Sequence, residues 1–229
     1  MLFIENSYLK EFKSIIKKIE NNNIILENTA FYANSGGQPG DSGKIITNEN
    51  EIIITDTIYD ENKNIIHICE NIDNLNIEQE ITGIINWERR YKHMKMHTAL
   101  HLLCSLIPYN VTGGQITDAK SRLDFNAENK IEKEEIEDKI NQLVIEDHQI
   151  SYQWITNNEL DNKPELVRTM SVKPPRGSNK IRLVKIGNID LQPCGGTHVN
   201  STKEIGEIKI GKIENKGKMN RRVNLLIND

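Results

Sequence analysis

Apolar residues recur in two rhythms along this chain, and the change between them falls near residue 86. Before it, they come in short β-branched runs at residues 23–28, 44–46, 51–58, 64–69 and 80–86, separated by Gly, Asn and Asp. Runs of that length and spacing predict the strands of a small barrel or sandwich. Within this half, only residues 9–20 are spaced as a helix would be. Past Trp87 the rhythm lengthens. Residues 88–107 hold no Gly or Pro, stop at Pro108, and set Met96, Leu100, Leu103 and Leu106 on one helical face. A second helix is predicted over 131–148, with Ile136, Ile140, Leu143 and Val144 as its stripe and Asn129 with Glu132 as its capping box. Strands are predicted at 122–126, 149–155, 181–186, 207–213 and 222–227, the last after a turn at 215–218. Helices mixed with antiparallel strands make the class α+β. The expected domains are 1–86 and 87–229.

Composition narrows the setting. The chain has 229 residues, a net charge of -4 and 5% aromatics. No apolar run nears the roughly 18 residues that span a membrane, and the opening MLFIENSYLKEF lacks the basic start and apolar core of a signal peptide. Three irregularly spaced cysteines, Cys69, Cys104 and Cys194, argue for a reducing, cytoplasmic location. The charge is uneven. Residues 166–229 carry 13 Lys/Arg against 5 Asp/Glu, leaving 16 against 28 in the rest. A basic segment on an acidic chain points to a polyanionic partner, although a solvated strand surface gives the same count.

Two histidine-bearing segments carry the chemistry. His97 and His101 stand four residues apart in the first helix, a spacing that lets both imidazoles reach one metal. His93 extends the row, so spacing alone allows the pair to be 93/97 or 97/101. Some ninety residues on, Cys194-Gly195-Gly196-Thr197-His198 sets a thiol and an imidazole on a glycine-rich loop. Two glycines permit a sharp turn that would face both side chains to one point. One Cys and three His suit zinc. His67 and His148 read as ordinary strand and helix residues.

HTALHLL followed by CGGTHV resembles the editing domain of alanyl-tRNA synthetase and its free-standing relatives, the AlaX proteins. The run from Thr29 to Asp41, TAFYANSGGQPGD, is similar to the glycine-rich motif of that family. Gly113-Gly114-Gln115 and Arg122-Leu123-Asp124-Phe125 fit as well, so the resemblance covers nearly the whole chain. It looks like the medium-length AlaX class, with neither an aminoacylation domain before it nor an extension after it. That class implies a fold with an N-terminal translation-protein-like β-barrel joined to a C-terminal α+β editing domain of the threonyl/alanyl-tRNA synthetase type. Carried over by position, the resemblance implies that His97, His101, Cys194 and His198 hold zinc, leaving His93 without a role. Thr29 matches a hydroxyl residue that recognises serine. Gly36, Gly37 and Gln38 match the motif loop near the editing pocket, and Gln115 matches a pocket residue. Asn34-Ser35 departs from the Glu-Gly of many AlaX proteins and is closer to the synthetase version.

The implied reaction is hydrolysis of the ester joining serine, and also glycine, to tRNA(Ala). A synthetic site shaped for a methyl side chain rejects serine or glycine by only a few kcal/mol, about 1–3 per missing group. A second site that hydrogen-bonds the serine hydroxyl spares alanine, whose methyl would leave polar groups unpaired. For tRNA contact the basic run from Lys173 through Arg176 and Lys180 to Arg182 contains no acidic residue and suits phosphates. Sparse aromatics speak against base stacking. Two other classes fit the same residues: a non-catalytic zinc-stabilised tRNA-binding module, and a zinc hydrolase of small esters or amides.

Overall fold

The computed structural model describes residues 1–170 and 180–228. They fall into two compact units, Met1–Lys92 and His93–Asp229.

The first unit opens with a single helical turn, α1 (Leu2–Glu5), and continues through six strands. These are β1 (Glu11–Glu20), β2 (Asn23–Leu26), β3 (Gly43–Ile46), β4 (Glu51–Tyr59), β5 (Ile65–Cys69) and β6 (Glu80–Ile85). They close into a barrel in the order β1-β2-β5-β4-β3-β6, which removes the free edges that an open sheet would expose. Its core includes Phe12, Ile16, Ile24, Phe31, Ile45 and Ile54. Residues 9–20 are therefore not a helix. Phe12, Ser14 and Ile16 alternate inward along β1, and the backbone pairs with β2 on one side and β6 on the other. Adjacent Ile15 and Ile16, followed by Ile19, mimic helical spacing, but β-branched side chains favour the pleated surface on which they lie.

The glycine-rich segment turns through a tight hairpin at its middle. Ser35 and Gln38 exchange backbone hydrogen bonds of 3.1 and 2.9 Å. Gly36 and Gly37 between them have φ of +57° and +84°, the paired positive values of a type I′ turn. The Tyr32 hydroxyl donates to the Ser35 carbonyl at 3.0 Å, and Asn34 N–H donates to Thr57 O at 2.8 Å.

Helix α2 (Trp87–Leu106) runs across the division between the units. Beyond it come β7 (Val111–Gln115), β8 (Lys120–Phe125), α3 (Lys133–Ile145), β9 (Ile150–Thr156) and α4 (Asn157–Asp161). The strands β10 (Lys180–Ile186), β11 (Asp190–Pro193), β12 (Glu207–Asn215) and β13 (Arg221–Asn228) complete the second unit. Two antiparallel sheets result, β11-β10-β9 and β12-β13-β8-β7. The mixture of helix and strand is as expected. On α3, Ile136, Ile140 and Val144 are buried, and Asn141 is bonded in both directions with the backbone of Ile208 in β12, at 2.8 and 2.9 Å. The expected capping box is absent. Glu132 occupies the N-cap without a side-chain bond, while the Asn129 amide donates to the Tyr109 hydroxyl at 3.2 Å. Among the described residues no helix is long and apolar enough to cross a membrane.

Candidate metal centre

Four side chains from α2 and the loop after β11 converge in the second unit. His97 and His101, one turn apart, face the same way from α2, and Cys194 and His198 come from the loop. The ligating atoms of these four residues all lie within 4.8 Å of one another. Cys194 Sγ is 3.4 Å from both His97 Nε2 and His198 Nε2. The His97 and His198 rings are 4.2 Å apart by their centroids, and those of His101 and His198 4.6 Å. The alternative left by spacing is thereby resolved, since His93, although 1% exposed, is outside the group.

Two of the three imidazoles are oriented from behind. His101 Nδ1 donates to Asp190 Oδ2 at 2.9 Å, which turns Nε2 towards the cluster. The Gln192 amide donates to the same carboxylate oxygen at 2.8 Å. His198 Nδ1 is 3.1 Å from Thr98 Oγ1, whose own proton goes to the Met94 carbonyl at 3.0 Å. The Thr98 oxygen must therefore accept from Nδ1–H, leaving His198 Nε2 bare as a ligand atom. Carboxylate and hydroxyl partners behind metal-binding imidazoles fix tautomer and ring plane.

The loop is held by Arg182. Its Nε donates to Cys194 O at 2.9 Å, its Nη2 donates to Gly196 O, and the guanidinium lies 4.8 Å over the Tyr152 ring. Arg182 is 4% exposed. Gly195 and Gly196 do not take the left-handed backbone that the sequence invites; among the described glycines the positive φ values lie elsewhere. Gly196 instead gives its N–H to Cys194 Sγ at 3.4 Å, and its carbonyl serves Arg182. Beyond His198, Thr202 Oγ1 donates to Leu143 O at 2.8 Å, tying the chain to the end of α3.

Electrostatics favour a thiolate. Burial works to raise the Cys194 thiol, but the His97 and His198 rings beside it, with hydrogen bonds from His101 and His198, carry it well below its usual range. His198 is pushed well down, by burial and then by His97. For His101 burial acts downwards, and the hydrogen bonds to Asp190 and Cys194 outweigh it. The donor set therefore offers one anionic sulfur and three imidazole nitrogens, of which that of His198 is held without a proton. A tetrahedral centre with bonds of about 2.0–2.3 Å has ligand edges of roughly 3.3–3.6 Å, and both sulfur–nitrogen separations of 3.4 Å fall in that interval. The residues fit a borderline-soft divalent metal. Replacing Asp190 by Asn keeps the shape but weakens the hold on His101, and is expected to lower metal affinity 10–100-fold. Competition against a chromophoric chelator measures this, and unchanged affinity would show that Asp190 does not tune the centre.

Of the other expected site residues, Arg182 is the one that holds the loop of this cluster. Thr29 is 4% exposed and Gln38 fully buried in the first unit, where Gly36 and Gly37 form the hairpin tip. Gln115 is exposed at the end of β7, opposite Arg122. Lys180 is exposed at the start of β10. Lys173 and Arg176 lie outside the described residues. Residue types alone did not reveal Asp190, Gln192 and Thr98. A signal for the first two exists: Asp190 and Gln192 alternate along β11, so they share a face just before Cys194. Thr98 meets His198 across 100 positions, which no local pattern encodes.

A family model described as threonyl and alanyl tRNA synthetase second additional domain matches residues 181–224. Another, described as tRNA synthetases class II (A), matches residues 3–89. The chain is 37% identical over 227 residues to the alanyl-tRNA editing protein AlaX-M of Saccharolobus solfataricus, covering 97% of this chain and 96% of that protein. It is 35% identical to AlaX-M of Methanosarcina acetivorans, with the same two shares. Against the alanine–tRNA ligase of Pyrococcus abyssi it is 34% identical, over 93% of this chain and 24% of the ligase.

Proposed function

Because the chain belongs to the AlaX family of alanyl-tRNA editing proteins, we propose that it deacylates tRNA(Ala) wrongly charged with serine, and with glycine, using zinc as cofactor. The observation that carries the reading is the four-donor group of His97, His101, Cys194 and His198 in a chain matched over nearly its whole length by proteins so named. In this reading the barrel is of the translation-protein type and the second unit is an editing domain of the threonyl/alanyl-tRNA synthetase type. The protein works in the cytoplasm, where its three free cysteines stay reduced.

Zinc bound by the four residues would supply Lewis acidity, polarising the ester carbonyl or lowering the pKa of water. The chain's own residues do the rest. Asp190 and Thr98 hold His101 and His198 with Nε2 towards the cluster. Arg182 fixes the carbonyls of Cys194 and Gly196, and so the path of the loop. Thr29 accepts the serine hydroxyl, and Gly36, Gly37, Gln38 and Gln115 contribute to recognition. Alanine is spared because its methyl would leave a buried polar group unpaired, at about 1–3 kcal/mol per group. Lys173, Arg176 and Lys180 meet tRNA phosphates, and Arg182 serves them by shaping the loop.

The test is incubation of the purified protein with seryl- and alanyl-tRNA(Ala). Serine is expected to be released at least about tenfold faster than alanine, the ratio that one such unpaired group gives. Binding without release would favour the non-catalytic tRNA-binding module, and equal turnover of seryl esters lacking tRNA would favour a small-ester hydrolase.

A further inference from the structure

His67, in β5, faces Thr29 inside the first unit and is fully buried. Its Nδ1 lies 3.2 Å from the Ile24 carbonyl oxygen and its Nε2 lies 2.9 Å from Thr29 Oγ1. A carbonyl can only accept, so Nδ1 carries the proton. Burial, against the smaller opposing effect of the Ile24 bond, pushes His67 down to about 4, so near neutrality the ring has one proton and Nε2 is bare. The bare nitrogen must accept, and the only proton Thr29 Oγ1 owns goes to it. The same oxygen receives Phe31 N–H at 3.0 Å. A threonine oxygen has one proton and two lone pairs. With the proton on His67 and one lone pair on Phe31, a single lone pair is left. The Phe31 ring, 5.4 Å from the imidazole and edge-on, closes that side of His67.

We infer that His67 is a positioning residue that makes Thr29 an obligate hydrogen-bond acceptor, so that this site selects amino acids whose side chain donates a hydrogen bond. The inference rests on the editing reading and adds a polarity to it. Serine satisfies the acceptor. A side chain of similar size that can only accept, such as 3-fluoroalanine, sets its fluorine against a lone pair. Glycine makes no contact with Thr29, so its turnover is independent of His67.

The experiment compares seryl-, glycyl- and 3-fluoroalanyl-tRNA(Ala) as substrates of the full chain and of His67→Leu, His67→Gln, Thr29→Val and Thr29→Val/His67→Leu. His67→Leu frees the Thr29 proton to rotate. The serine-to-glycine ratio of kcat/KM is expected to fall about tenfold, the worth of one hydrogen bond at a buried site, and discrimination against 3-fluoroalanine to collapse. His67→Gln, whose amide can donate to Ile24 O while its oxygen accepts from Thr29, is expected to restore most of the ratio. In the Thr29→Val background His67→Leu should leave the ratio unchanged. A misfolded barrel would lower all three substrates together, so equal losses overturn the inference, as does a ratio change that persists without Thr29. Serine release by the parent chain with no ratio change in His67→Leu overturns this inference alone. No serine release by the parent overturns the editing reading and this inference with it.

Discussion

Replacing Cys194 by Ala is expected to strip most of the zinc from the protein and to lower seryl-tRNA(Ala) deacylation at least 100-fold. The magnitude follows from the kind of group removed. Loss of a partner that merely orients a ligand already costs about 10–100-fold, and Cys194 is itself one of the four converging donors. It supplies the sulfur and the negative charge of the set. Without it three imidazoles remain, their rings 4.2, 4.6 and 5.2 Å apart, with no anionic donor among them to balance a dication. The loop loses a tie as well, because Gly196 N–H has no sulfur to meet. Three histidines alone can hold zinc when the site is built for it, with a water in the fourth position. Metal content and turnover must therefore be read together on the same preparation. Zinc and activity lost in step support the assignment. Full activity in a metal-free variant would remove the metal from the reaction, and full activity with zinc retained would remove Cys194 from the ligand set.

The candidate metal group was legible in part because its signal is chemical and short-range on each side, although spacing left the helical pair as 93/97 or 97/101 and the resemblance supplied the choice. An i,i+4 histidine pair and a Cys-x-x-x-His loop each declare themselves within five residues, and only their pairing across the chain needs the fold. The site's supporting groups were less visible for the opposite reason. Thr98 and Arg182 act through contacts 100 and 12–14 residues away, and a basic residue in a basic run looks like a phosphate contact until its guanidinium is seen between two carbonyls. His67 read as an ordinary strand residue, since nothing in its neighbours announces Thr29, 38 positions earlier. In the fold, β1 was disguised by paired isoleucines. The strand β7, Val-Thr-Gly-Gly-Gln, was hidden because glycine is a poor strand former. Its pairing to β8 and the close approach of Gly114 to Leu123, where a Cβ would come within 2.9 Å, override that preference.

Arg90→Met is expected to destabilise the first unit by about 3–5 kcal/mol, the cost of leaving a buried carboxylate without its partner. Arg90 is 0% exposed and Asp41 1%. The guanidinium reaches Asp41 through Nε, at 3.0 and 2.9 Å, and through Nη2. It also donates to the carbonyls of Ser7 and Ala30. Asp41 in turn accepts Tyr32 N–H at 2.6 Å, and its backbone oxygen accepts from Thr57 Oγ1 at 2.9 Å. The pair therefore fastens both ends of the segment that carries Gly36 and Gly37 to the barrel wall. Asp41→Asn should cost a comparable amount, because it leaves the buried cation uncompensated. The double variant removes both charges, so its cost should fall short of the sum of the two singles by well over the roughly 0.3–0.5 kcal/mol within which independent sites add. Urea unfolding followed through Trp87 measures this. Trp87 stacks on Tyr91 at 5.4 Å in the same unit, and Trp154, half exposed in the other unit, can be replaced by Phe to leave one reporter. A loss below about 1 kcal/mol would place the pair in the range of exposed ion pairs and deny it this role. A loss of the expected size in Arg90→Met that Arg90→Lys does not repair would show that the forked geometry matters as well as the charge, since Lys cannot reach the Ser7 carbonyl, the Ala30 carbonyl and both carboxylate oxygens together.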